Sequence, residues 1–126
     1  MSLEIILSQF EDIKEAIVIV KNRIDGIEPP LDFFKDEKSI IVYDSIAMRL
    51  QTIGESIKNV DKRNKTFLSN YPEIQWPEIM KLRDIISHHY KELNADTIFY
   101  ACKEDLPILE TIVDKIITDL NKQGYK

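Results

Sequence analysis

A chain of 126 residues, 44% apolar and 31% charged, is long enough to bury its own core and has the make-up of a globular domain. Its formal charge of −5 excludes a protein that grips nucleic acid through overall positive charge, so any RNA contact has to be local. The longest unbroken apolar run, Ala16 to Val20, is too short to span a bilayer. No basic-then-apolar leader opens the chain, which points away from secretion, and the lone Cys102 suits a reducing cytoplasm.

Leu3, Ile6, Leu7, Phe10, Ile13, Ile17, Val20 and Ile24 recur at three- and four-residue steps, which predicts a long first helix with Ser2 as its N-cap. Gly26 and Pro29-Pro30 end it. Tyr43, Ile46, Ala47, Leu50, Ile53, Gly54 and Ile57 mark a second helix that starts near Asp36 or Ser39. From Asp61 to Gln75 the periodicity lapses, predicting a connection with one short turn around Phe67. Pro77 fits the first turn of a third helix, where its missing N–H costs nothing. Asn94 or Asp96 can cap a fourth, and Asp105 with Pro107 predicts a break before a fifth, which carries Leu106 through Leu120. With no alternating strand pattern and no repeat, the expected architecture is all-α. It is a single domain over residues 1–126, an antiparallel up-and-down bundle of four main helices plus a shorter one.

Two features of the second helix bear on a site. Gly54 stands where a helix former would be about 1 kcal/mol better, which predicts close packing of another helix there. Glu55 beside it reads as a surface carboxylate or a partner for a basic residue. Lys58, Lys62, Arg63 and Lys65 form the one local basic cluster; taken alone it reads as a solvated helix end.

The third helix holds the residues with most chemistry, Arg83-Asp84-Ile85-Ile86-Ser87-His88-His89-Tyr90. A guanidinium can hold a phosphate by two parallel hydrogen bonds, and an imidazole can move protons near neutral pH. At about 100° of rotation per residue, Ile79, Leu82, Ile86 and Leu93 form the core stripe. His89 falls close to that stripe and is expected to be partly buried. His88 points away from it, towards the side of Asp84, which could orient it. Tyr90 lies seven residues past Arg83 and should project the same way. Arg83 and His88 diverge by about 140°, which is awkward for two groups meant to meet at one phosphate. A twofold-related copy would supply a second Arg and a second His, so the geometry predicts a homodimer with a composite site. Asp84 and His88 also have i, i+4 metal-ligand spacing, but no His/Cys cluster accompanies them, so no metal and no cofactor are expected.

Arg83-x4-His88-x-Tyr90 resembles the R-x4-H-x-Y signature of the HepT-type toxins in the HEPN superfamily. Ile53-Gly54-Glu55 is similar to that family's I-G-E segment. Tyr71-Pro72-Glu73-Ile74-Gln75-Trp76 resembles its approach to the motif helix, and Glu104-Asp105-Leu106-Pro107 its E-D-L-P segment. The resemblance implies a dimerising all-α bundle that acts as a metal-independent endoribonuclease toxin. Arg83 and His88 would be its catalytic pair, with Asp84 in support. It further implies a partner nucleotidyltransferase antitoxin that silences the toxin by attaching AMP to Tyr90. The competing expectation is a non-catalytic helical module that binds nucleotide, RNA or such a partner.

Overall fold

A computed structural model describes residues 3–123. Helix α1 (Leu3–Ile24) turns Ile6, Phe10, Ile13, Ile17 and Val20 into the core, as its periodicity predicts. The expected cap, Ser2, lies outside the described residues. Gly26, at φ +86°, supplies the left-handed residue after the helix, a conformation that a side chain would strain. A 3₁₀ turn at Pro30–Phe34 then drives Phe33 into the core.

Helix α2 (Glu37–Arg63) starts at Asp36, whose side chain accepts a hydrogen bond from the Ser39 backbone N–H at 2.8 Å. It runs further than the periodicity suggested. Val60 continues the buried stripe of Ile53 and Ile57, while Asp61, Lys62 and Arg63 keep their charges on the outer side, so charge density did not mark an end. The connection contains a 3₁₀ turn at Leu68–Asn70, beside the buried Phe67.

Helix α3 (Trp76–His89) begins with Pro77 in its first turn. Its entry is fixed by Trp76, whose indole N–H donates to the Tyr71 carbonyl at 2.9 Å and whose ring meets Phe10 edge-on at 6.5 Å. Helix α4 (Ala95–Tyr100) is short, with Asn94 accepting from the Asp96 N–H at 2.7 Å. A π-helical turn, Ala101–Asp105, joins it to α5 (Leu106–Lys122). The predicted break before the last helix is thus a widened turn. Pro107 would clash with the carbonyl four residues back in a regular helix, and the wider turn relieves that clash.

The bundle is all-α. Helix α1 packs against both α2 and α5, and α3 packs against α2. Lys14 and Lys21 of α1 clamp Glu110 of α5 at 2.9 and 2.7 Å. Among the described residues no helix is long and apolar enough to cross a membrane.

Candidate active site

The site is built where α3 crosses α2. Gly54 makes the crossing possible, because a Cβ added there would stand 2.3 Å from the Cβ of Arg83 and 3.3 Å from the Ile79 carbonyl oxygen. The glycine therefore seats the root of Arg83 directly on the α2 backbone, the close packing expected of it. The guanidinium then lies between two carboxylates. Nη2 pairs with Glu55 Oε1 at 2.7 Å, and Nη1 donates to Asp84 Oδ1 at 3.1 Å. Lys58 closes the network by donating to the same Asp84 oxygen at 3.0 Å. The Arg83 side chain is only 21% exposed, and its Nε is buried with no hydrogen-bond partner among the described residues. Two cations and two anions leave the network neutral. The hydrogen bonds from Lys58 and then Arg83 hold the Asp84 carboxyl below the usual carboxylate range.

Asp84 is thus engaged by Lys58 and Arg83, and no hydrogen bond joins it to His88, the partner expected from helical spacing. His88 is exposed. His89 is also exposed, at 61%, with Nδ1 3.8 Å from Glu92 Oε2, which corrects the expectation of a partly buried imidazole. The reason lies in where the helix stops. His89 leaves helical geometry at φ −134°, ψ 34°, so its side chain does not follow the direction an ideal helix would give it, while Ile86 before it and Leu93 after it still pack on the core.

The same termination sets Tyr90. It opens a 3₁₀ turn, Tyr90–Glu92, so its direction follows neighbours in space rather than the register of Arg83. Its hydroxyl donates to Asp44 Oδ1 of α2, and its ring lies 6.4 Å from that of Tyr43. One chain therefore brings Arg83, Asp84, Lys58 and Glu55 together, but leaves His88 and Tyr90 outside that network. Glu55 proves to be the partner for a basic residue that the sequence allowed, Lys58 was visible only as part of a solvated basic cluster, and Gly54 was the signal that another helix would pack there. Asp44, 46 residues from Tyr90, left no trace in the pattern. Among the described residues no three His, Cys, Asp or Glu side chains gather as a metal-binding group.

Comparison with known proteins covers most of the chain. The model of the family described as "Ribonuclease HepT-like" matches residues 6–116. A protein of Thermococcus cleftensis named "Probable ribonuclease HepT" is 31% identical over 106 residues, covering 84% of this chain and 90% of that one. Two proteins of Methanocaldococcus jannaschii are also similar. One, named "Putative RNase MJ0127", is 29% identical over 89 residues, covering 71% of this chain and 69% of its own. The other, named "Gamma-glutamylcyclotransferase and putative RNase MJ0434", is 27% identical over 115 residues, covering 86% of this chain. This chain spans half the length of that last relative. No solved structure gives a match. With the motif helix and both its supports inside the matched region, the chain belongs to the ribonuclease HepT-like family.

Proposed function

We propose that the protein is an endoribonuclease that needs no metal, acts as the toxin of a toxin–antitoxin pair in the cytoplasm, and works as a homodimer. The observation that carries this reading is the family match across α3, where Arg83 is fixed at the α2 crossing and His88 is left exposed. RNA brings its own nucleophile, the 2′-hydroxyl. Cleavage needs a base for that proton, an acid for the leaving 5′-oxygen, and positive charge at the phosphorane-like transition state. His88 can fill one proton role, and the same residue of a twofold-related copy the other. Arg83 supplies the charge once the RNA phosphate takes the place of a carboxylate on its guanidinium. Asp84 and Lys58 hold it in position from the other side. Tyr90 would accept AMP from a partner nucleotidyltransferase, and the added phosphate and bulk would exclude RNA.

The second reading, a non-catalytic module that binds nucleotide, RNA or a nucleotidyltransferase, is favoured by one observation: Arg83 is already neutralised by Glu55 and Asp84. The two separate by experiment. The nuclease reading expects RNA cleavage by the purified protein in EDTA, and losses of about a hundredfold or more in His88→Ala and Arg83→Ala. It also expects wild-type expression to stop growth and His88→Ala expression not to. Uncut RNA with equal growth of both strains would establish the non-catalytic module.

A further inference from the structure

A groove of about 360 Å³ opens between α2 and the end of α3, one helical turn beyond Arg83 and separate from its ion-pair network. Asp44, Met48 and Gln51 line it from α2, with Ser87 and Tyr90 opposite. Its volume is at the small end for ligand sites, suited to one planar ring rather than a length of chain. Met48 is 69% exposed and Tyr90 40% exposed, so an apolar surface and an aromatic face are both open to a ligand. Among the described residues no side-chain hydrogen bond engages Gln51 or Ser87, and the buried Tyr43 hydroxyl beside Tyr90 also lacks a partner. Asp44 is near enough to Tyr43 to add to the effect of burial in pushing its phenol pKa up.

Among the described residues that line the groove, the only charged side chain is the Asp44 carboxylate, so a phosphate would be repelled there. What fits is a neutral flat ring that offers N–H donors at its edge. Of the four RNA bases, guanine alone presents two adjacent donor groups, N1–H and N2–H₂, to the two oxygens of one carboxylate. Asp44 can serve them while keeping the Tyr90 hydroxyl, because an ionised carboxylate has about four acceptor sites. Unpaired bases in RNA are commonly held by stacking on an exposed aromatic ring. Ser87 is four residues past Arg83, about 6 Å along the axis. A base seated beside it belongs to a nucleotide adjoining the phosphate at Arg83.

We infer that this groove is a guanine subsite for single-stranded RNA, with Tyr90 as the stacking face and Asp44 as the residue that selects the base. The inference rests on the ribonuclease reading and deepens it. The test uses the full chain carrying His88→Ala and fluorescein-labelled pentanucleotides UUXUU, with X each of the four bases, followed by fluorescence anisotropy. The guanine oligomer should bind about tenfold tighter than the others. Adding Asp44→Asn should reduce that preference below about twofold and leave the other three affinities unchanged. Tyr90→Leu should weaken all four alike, and thermal melting monitors the fold of each variant. Equal affinity for the four oligomers, or a guanine preference that survives Asp44→Asn in a folded protein, would overturn the subsite. Guanine discrimination in a protein that cuts no RNA would sink the nuclease reading and leave the subsite standing; cleavage without discrimination would do the reverse.

Discussion

At the scale of single residues, Gly54 and Arg83 act as one unit. The nearest atom to a Cβ at position 54 is Arg83 Cβ, so Gly54→Ala cannot be relieved by swinging the guanidinium aside. Although alanine is the better helix former by about 1 kcal/mol, the overpacking should prevail, with a net loss of about 1–3 kcal/mol in urea denaturation. Truncating Arg83 to Ala in the same chain should not restore it, because the clashing atom remains. Glu55→Gln is a milder change, since Glu55 is half exposed, and it should alter stability by less than about 1 kcal/mol in the same measurement. The Arg-x4-His-x-Tyr spacing and the packing role of Gly54 were both readable in the sequence. The exposure of His89 was not, because helical projection assumes a helix that continues, and this one ends on that residue.

At the scale of elements, the segment before α3 works as a strut. Tyr71 sits 5.8 Å from Phe67, accepts the Trp76 indole N–H on its carbonyl, and donates its hydroxyl to Asp119 of α5 at 2.8 Å. Burial, reinforced by the Asp119 hydrogen bond, pushes the Tyr71 phenol up to about 12. The folded value lies above the ordinary 10.0, so the protonated form favours the fold. That stability is fully present below pH 10 and is lost as pH rises towards 12. Ultraviolet titration should show one phenol ionising last, together with unfolding, and Tyr71→Phe should remove that late step. Helix positions were largely legible because apolar spacing, Asp36, Pro77 and Asn94 all mark them locally. The π-helical turn was legible only as a break, since a proline announces an interruption without saying whether the chain turns or widens there.

At the scale of the whole molecule, the first and last helices are held by Lys14 and Lys21 on Glu110, with Asp114 also 2.9 Å from Lys14. Hydrogen bonds from Lys21 and then Lys14 lower the Glu110 pKa. A depressed carboxylate stabilises the fold above its unfolded value and stops doing so as pH falls through its folded value. Melting temperatures measured between pH 6 and pH 3 should therefore fall less steeply for Glu110→Gln than for wild type, with wild type the more stable at pH 6. None of this pairing could be read from the sequence, because the partners lie 89 and 96 residues apart and both helices carry several charged residues of either sign.

The contact at Gly54 also has a genetic consequence. Most inactivating substitutions in a nuclease either remove a chemical group or unfold the chain, and they map to different places. Here one backbone position controls both, since any side chain at 54 displaces the arginine that the chemistry would use. Under the proposed toxin reading, cells forced to express this chain without an antitoxin should yield escape mutants that cluster at codon 54 as densely as at codons 83 and 88. Sequencing a few hundred survivors from a random library would show whether a residue with no functional group behaves as part of the catalytic machinery.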